Sequence, residues 1–244
     1  MNLTIDIGNT SAKIAVFDGA NVVFFERVAA DWQSEIAKLC RMFYLRACAV
    51  SNVAGKNAEL ELALKQLPFA PLMLSDKSPE AQPYFQRIPR GLGADRLAAD
   101  IAAVRLSEGR PFLVIDAGTC LTFDVVDAQR SFVGGSISPG IALRLRAMHE
   151  HTAALPLIAP EGELPDFGYD TVTALRSGAA NGVKYEIEGY IRMCLRRFPD
   201  LRVYYTGGNQ LHFSDDVSAY ITSDPMLVLR GLNELLAARS LDEE

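Results

Sequence analysis

Asp6-Ile7-Gly8-Asn9-Thr10 near the start of the chain and Asp116-Ala117-Gly118-Thr119-Cys120 near its middle repeat one signature of carboxylate, glycine and hydroxyl. Each copy follows an apolar run: Leu3, Ile5 and Ile7 alternate with polar residues in the first, and Phe112 to Ile115 are continuous in the second. Each precedes a second strand-like run, Ile14 to Phe17 and Leu121 to Val126. A strand that ends in Asp, turns on Gly, offers a hydroxyl and returns as a strand forms a tight phosphate-facing loop, because Gly permits close backbone approach and open N–H groups bind anions. The Asp can hold the cation that phosphate brings. The repetition predicts two similar half-molecules facing one nucleotide, a kinase-like or ATPase-like arrangement.

A chain of 244 residues suits one large domain or two ordinary ones, and the repeat favours two. With 49% hydrophobic and 22% charged residues it reads as a soluble globular protein. A net charge of -6 argues against a general nucleic-acid binder, whose affinity rests on clustered Lys and Arg. Residues 1–20 lack a basic start followed by an unbroken apolar core, and no stretch reaches the roughly 18 to 20 apolar residues of a membrane-spanning helix, so a cytoplasmic protein without a membrane partner is expected. Cys40, Cys48, Cys120 and Cys194 are widely spaced, form no C-x-x-C pair, and read as small buried hydrophobes.

The first half reads as strands 2–7, 12–17 and 21–28 in an antiparallel meander with a turn at Asp18-Gly19. A helix with Ile36, Leu39, Cys40 and Phe43 at helical spacing follows, then a strand from Ala47 to Ser51, a short helix near 57–66 and an apolar segment, Pro71 to Leu74. Residues 75–91 carry three prolines and read as a long surface loop. It empties into Leu92-Gly93-Ala94-Asp95-Arg96 at a helix start. Gly109-Arg110-Pro111 reads as a boundary, giving domains 1–109 and 110–244. The second half repeats the meander at 112–116, 120–126 and 130–137, and Gly134-Gly135-Ser136-Ile137-Ser138-Pro139-Gly140 leads into a helix with Leu143, Leu145 and Met148. A Pro-containing loop, 155–169, precedes a long helix whose apolar stripe includes Val172, Leu175, Ala179, Val183, Ile187, Ile191 and Cys194, interrupted by Gly178, Gly182 and Gly189. Strand 202–206, Gly207-Gly208, a strand near 219–222 and a helix opened by Asp224-Pro225 complete the chain. Three meandering strands followed by alternating helix and strand, twice, predict an α/β fold of two ribonuclease-H-like domains.

With that order in place, the motifs resemble the acetate and sugar kinase, heat-shock-70 and actin superfamily, and within it the type III pantothenate kinases. Asp6-x-Gly8-Asn9-Thr10-x-x-Lys13 is similar to the first phosphate motif, Gly93-Ala94-Asp95-Arg96 to the substrate motif, Asp116-Ala117-Gly118-Thr119 to the second phosphate motif, and Thr206-Gly207-Gly208 to the adenosine motif. The resemblance spans nearly the whole chain and implies a duplicated ββαβαβα-type, actin-like ATPase fold. It implies ATP-dependent conversion of pantothenate to 4'-phosphopantothenate, the first step of coenzyme A biosynthesis. The phosphate loops leave a related small-molecule kinase or phosphatase as the enzymatic rival, and a nucleotide-binding transcriptional accessory protein as the non-enzymatic one.

From the residues alone, Asp6 is a costly carboxylate at the end of an apolar strand unless it meets a cation, donors or its own turn. The resemblance makes it a holder of the magnesium that accompanies ATP, with Gly8, Asn9, Thr10 and Lys13 at phosphate; Lys13 by itself reads equally as a solvated strand lysine. Asp95 alone reads as a first-turn carboxylate favourable to the helix macrodipole. The resemblance makes it the general base for the pantothenate hydroxyl, with Gly93, Ala94 and Arg96 at substrate; the forked donors of Arg suit a carboxylate. Asp116 resembles the ligand of a monovalent cation, potassium or ammonium, with Gly118 and Thr119 toward ATP. Gly207 and Gly208, otherwise a tight turn, would let adenosine approach the backbone. Thr171, otherwise a helix cap, would contact pantothenate from the second protomer of a homodimer whose substrate site is shared at the interface. Relatives place a tyrosine where this chain has Gln86, so either Tyr84 reaches the pocket or that contact is replaced. His149, His151 and His212 form no metal set, since the first two point to different helix faces.

Overall fold

A computed structural model describes residues 1–29, 31–209 and 211–242. In chain order the elements are β1 (Asn2–Ile7), β2 (Ala12–Asp18), β3 (Asn21–Val28), α1 (Trp32–Met42), β4 (Ala47–Asn52), α2 (Ala58–Leu64), β5 (Leu72–Met73) and α3 (Ala94–Leu106). They continue as β6 (Phe112–Ala117), β7 (Cys120–Val126), β8 (Phe132–Pro139), α4 (Ile141–Glu150), α5 (Thr171–Arg197), β9 (Arg202–Gly207), α6 (Asp215–Ser218), β10 (Ile221–Ser223) and α7 (Leu227–Asp242). Two five-stranded sheets result, ordered β3-β2-β1-β4-β5 and β8-β7-β6-β9-β10. In each, the central strand pairs antiparallel with the next strand of its meander and parallel with the strand that follows the first helical crossover. The duplicated ribonuclease-H-like organisation expected from the repeat is therefore present in both sheets.

The chain divides into two compact units. The first comprises Met1–Gly109, Gln129–Phe132 and the segment from Met226 onward; the second comprises Arg110–Ala128 and Val133–Pro225. A single cut after residue 109 thus assigns the last helix to the wrong body. The reason is packing: α7 lies along α3 and also meets β1 and β4.

In the first unit, Leu3, Ile5 and Ile7 share one sheet face with Ile14, Val16 and Val50, and Trp32, Ile36, Leu39 and Leu60 from α1 and α2 cover it. Strand alternation sends Asn2, Thr4 and Asp6 to the other face, where Asn2 Nδ2 donates to Asn233 Oδ1 of α7 at 3.0 Å. The approach of α3 and α7 depends on small residues. A Cβ at Gly231 would lie 1.7 Å from the Ala98 carbonyl oxygen, so glycine is required at the crossing. In the second unit, Leu113, Ile115, Ala117, Phe123, Val203 and Tyr205 form one face against Ile141 and Leu145 of α4 and Leu175, Ala179, Val183, Ile187 and Ile191 of α5.

Several details depart from the sequence reading. Residues 75–91 are not a simple surface loop: they contain a 3-10 turn (Pro79–Tyr84), bury Ser78, Ala81, Phe85 and Ile88, and pair Arg87 with Ser131. The Phe85 and Phe132 rings stand 4.8 Å apart, so apolar burial anchors the segment. The last strand runs from Ile221 and the last helix from Leu227: the Asp224 N–H still donates to the Tyr205 carbonyl of β9 at 2.9 Å, and the Met226 carbonyl accepts from the Arg230 N–H at 2.9 Å as the first turn of the helix. The glycines of α5 do not interrupt its buried stripe: Gly178 and Gly189 lie on the exposed side, with open space where a Cβ would stand. Val172 is also exposed. Of the cysteines, Cys48 and Cys194 are buried, Cys120 is intermediate and Cys40 is exposed on the outer side of α1. Among the described residues no helix is long and apolar enough to cross a membrane.

Substituting Gly231→Ala should lower the stability of the folded chain by about 1 to 3 kcal/mol or more, the usual cost of forced overpacking. Denaturant titration of wild type and variant checks this; an unchanged midpoint would mean the α3–α7 approach is not tight.

Candidate active site

The first loop grows from the register of β1. Asp6, one residue before the strand ends, stands opposite Lys13 on the antiparallel neighbour β2 and opposite Ser51 on the parallel neighbour β4. Directly opposite residues in a sheet share a face, so carboxylate, ammonium and hydroxyl project to the side occupied by α3 and α7. Asp6 is 8% exposed and Ser51 fully buried, whereas Asn9 and Thr10 at the tip of the loop are exposed. The Gly8 N–H donates to the Ser11 carbonyl at 3.0 Å and closes a four-residue turn.

Asp95 reaches the same end of the sheet. Val53 follows β4 and its N–H donates to the Ile7 carbonyl at 3.1 Å, which holds it beside the C-terminus of β1. The Cβ that Gly93 lacks would stand 3.9 Å from Val53 Cγ1 and 2.7 Å from Asp95 Oδ1. Gly93 is the N-cap of α3 and supplies no side-chain cap; Ala94, Asp95 and Arg96 form the first turn. Asp95 Oδ1 accepts from the Arg96 N–H at 2.8 Å. A carboxylate at this position also gains from the positive end of the helix.

The second unit builds its loop the same way. Asp116 stands opposite Thr122 on β7 and Thr206 on β9. Gly118 and Thr119 make a two-residue connection, shorter than the first loop, closed by the Gly118 N–H donating to the Cys120 carbonyl at 3.0 Å. Two other segments press on it. Gly140, the N-cap of α4, donates to the Thr119 carbonyl at 3.0 Å, and a Cβ there would lie 2.3 Å from the Gly118 carbonyl oxygen. Gly207 has φ of +105°, and a Cβ on it would lie 2.5 Å from the Ala117 carbonyl oxygen. Asn209 Nδ2 donates to that same oxygen at 2.9 Å, and the Tyr205 hydroxyl donates to the Asn209 carbonyl at 2.5 Å. Burial, with the charge of Asp116 added, pushes the Tyr205 phenol well above its ordinary range and keeps it a neutral donor.

The structure thus brings Asp6, Gly8, Lys13, Gly93 and Asp95 to one end of the first sheet, and Asp116, Gly118, Thr119, Gly207 and Gly208 to the corresponding end of the second. These are carboxyl ends of parallel strands beside a reversal of strand order, the usual ligand position in open α/β sheets. Tyr84 is not brought to Asp95. Its hydroxyl donates to the Glu234 carbonyl of α7 at 3.2 Å, and its ring lines a cavity of about 740 Å³ with Arg105, Glu108 and Arg130, toward the other end of α3. Gln86 is occupied as well: its Oε1 accepts from Ser131 Oγ at 2.9 Å. Thr171 opens α5 but does not cap it. Asp170 does, in a capping box with Thr173 whose hydrogen bonds hold the Asp170 carboxyl below its ordinary range. The sequence reading passed over Ser51 and quoted Thr206 and Gly140 only within longer motifs, with no role of their own; strand register against the two aspartates was the signal for Ser51 and Thr206.

Among the described residues no three His, Cys, Asp or Glu side chains cluster as a metal site. A cation held at Asp6 would complete its shell with water and phosphate oxygens, which is how magnesium is commonly bound. The buried hydroxyls of Ser51 and Thr206, neither with a hydrogen-bond partner among the described residues, fit polar guests beside both aspartates.

A family model described as type III pantothenate kinase matches residues 2–193. Among curated proteins, type III pantothenate kinases of Bacteroides fragilis and Phocaeicola vulgatus are 40% and 38% identical over 236 and 237 residues, covering 97% of this chain and 97% and 98% of theirs. Among solved structures, a conserved Baf family protein of Campylobacter jejuni superposes with a TM-score of 0.61 at 23% identity, covering 98% of this chain and 99% of that one. MreB5 of Spiroplasma citri bound to ADP gives 0.51 at 10% identity, covering 99% and 97%. Both likenesses speak to the actin-like fold alone.

Gly140→Ala should loosen the second loop, since the clash is with backbone. Amide hydrogen exchange should then speed up across residues 116–120 while the amides of β1 and β4 keep their wild-type protection; equal protection of 116–120 in both proteins would show that α4 does not brace the loop.

Proposed function

The chain belongs to the type III pantothenate kinase family: it phosphorylates pantothenate with ATP at the first step of coenzyme A biosynthesis, and we propose the following division of work among its residues. The observation that carries the proposal is the convergence of Asp6 and Asp95 at one end of the first sheet. Phosphoryl transfer asks mainly for positioning and charge neutralisation. Gly8, Asn9, Thr10 and Lys13 bind phosphate oxygens of ATP, and Gly118 and Thr119 bind ATP from the second loop. Gly207 and Gly208 form the adenosine turn: Gly207 packs the turn against the Ala117 backbone, and Gly208 leaves open space for adenosine beside it.

Asp95 accepts the proton of the pantothenate primary hydroxyl. The resulting oxygen bonds to the terminal phosphorus as the bond from that phosphorus to the bridging oxygen breaks, and ADP leaves. Gly93 and Ala94 line the acceptor, and Arg96 pairs with its carboxylate through forked donors. Asp6 would hold magnesium, and Asp116 a potassium or ammonium ion; bound there, these ions supply positive charge against the phosphates. Tyr84 has no part in this scheme, because its hydroxyl and ring are engaged at α7.

The proposal extends to a cytoplasmic homodimer in which Thr171 of one protomer meets pantothenate bound by the other. Its support is the outer face of α5, where Ala174, Gly178, Tyr185, Gly189 and Met193 recur at helical spacing and are exposed. Phe167, 89% exposed just before the helix, extends that apolar surface. Small residues on a helix face allow close approach of a second helix, and glycine inside a helix otherwise costs roughly 1 kcal/mol against alanine.

Asp95→Asn should lower turnover by about 10² to 10⁴-fold, the usual weight of a general base, while calorimetric ATP binding stays near wild type. Full turnover in the purified variant would remove Asp95 from the role. Mixing inactive Asp95→Asn chains with inactive Thr171→Trp chains should restore part of the activity, because a mixed dimer assembles one intact site. A monomeric mass near 26.7 kDa by light scattering, with no complementation, would exclude the shared site.

A further inference from the structure

Among the described residues, buried hydroxyls away from the two phosphate loops have hydrogen-bond partners. Thr4 Oγ1 donates to the Ala15 carbonyl at 3.4 Å, Ser107 Oγ to the Val104 carbonyl at 3.2 Å, and Ser177 Oγ to the Asp166 carbonyl at 3.0 Å. Among the described residues, two buried hydroxyls have no partner: Ser51 Oγ, fully buried, and Thr206 Oγ1, on a residue 2% exposed. They occupy equivalent places. Ser51 is the parallel-strand partner of Asp6 in one unit, and Thr206 that of Asp116 in the other. A parallel pair in register puts both side chains on one face with their Cβ atoms about 5 Å apart, close enough for one bound ion or its water to touch both. A buried hydroxyl left unpaired costs free energy; the same unpaired hydroxyl beside the same carboxylate in both halves calls for an occupant.

We infer that Thr206 and Ser51 are direct binding groups of the two phosphate loops: Thr206 Oγ1 an oxygen ligand of the monovalent cation at Asp116, and Ser51 Oγ a hydrogen-bond partner of magnesium-bound water at Asp6. The inference rests on the cation roles given above to Asp116 and Asp6. The assignment follows ion chemistry. A large monovalent cation can use a neutral hydroxyl oxygen directly, whereas magnesium keeps several waters that need acceptors and donors around them. Neither hydroxyl has to move a proton or form a covalent bond.

The test uses the full chain and reads binding as well as turnover. For Thr206→Val, which keeps the side-chain shape, the melting temperature without ligands should equal or exceed that of wild type, because the unpaired hydroxyl is gone. The potassium concentration that half-saturates thermal stabilisation of the ADP-bound protein should rise about 10- to 100-fold, the usual loss for a group that supports a bound metal. Thr206→Ser should stay near wild type and Thr206→Ala should behave like Thr206→Val, a comparison that remains valid if valine disturbs folding. Ser51→Ala should weaken ADP binding measured by calorimetry with magnesium and leave binding without magnesium unchanged. Asp116→Asn and Asp6→Asn separate the layers of the argument. If the Asp variants lose their ion response and the hydroxyl variants keep theirs, the inference is overturned and the loop assignment stands. If the Asp variants respond to the ions as wild type does, the loop assignment fails and the inference fails with it.

Discussion

Parallel register between the central strand and its crossover partner is the constraint on which the remaining features rest. It fixes Ile7 beside Asn52 and Ala117 beside Gly207, so both chains of each pair end together and their loops leave from one edge. The alternation of side chains then decides which residues face the helical core and which face the opposite side. A slip of one residue would drive Asp6 among Leu39, Ile36 and Leu60 and turn Ile5 outward. The cost of that exchange makes the placement of the carboxylates a consequence of core formation.

Glycine at three contacts turns this register into a site. Gly231 lets α7 settle on α3, which fixes α3 against the first sheet; Gly140 lets α4 start on the second loop; Gly207 lets the chain turn back across Ala117. Each would bring a side-chain carbon into a backbone carbonyl if replaced. Backbone contacts of this kind have little freedom to relax, and they hold the loops close to the neighbouring strand and helix ends.

Much of this was legible in the sequence. The alternation Leu3, Ile5, Ile7 and the repeated carboxylate, glycine and hydroxyl signature determine two like sheets, and the position of Asp95 at a helix start follows from the glycine and alanine before it. The boundary at Gly109 was legible; the return of α7 to the first unit was not, because Ala98 and Gly231 meet across more than a hundred residues and neither is distinctive alone. The sequence left open, for a similar reason, whether Tyr84 reaches the substrate pocket. Prolines at 79, 83 and 89 suggest an open loop, and only the burial of Ala81, Phe85 and Ile88 turns Tyr84 toward α7. Gly178 and Gly189 of α5 were assigned to the wrong face, since their spacing matches the buried stripe closely enough to be mistaken for it.

The central proposal is that nucleotide engages the loop at the carboxyl end of β1 in the first unit and the loops at the carboxyl ends of β6 and β9 in the second. Hydrogen exchange followed by mass spectrometry, with and without ADP, magnesium and potassium, tests it most directly. The account predicts new protection concentrated in peptides covering residues 6–13, 116–120 and 206–209. Unchanged exchange in those three segments, with protection appearing instead around residues 79–84 and 234–239 at the Tyr84 cavity, would contradict it.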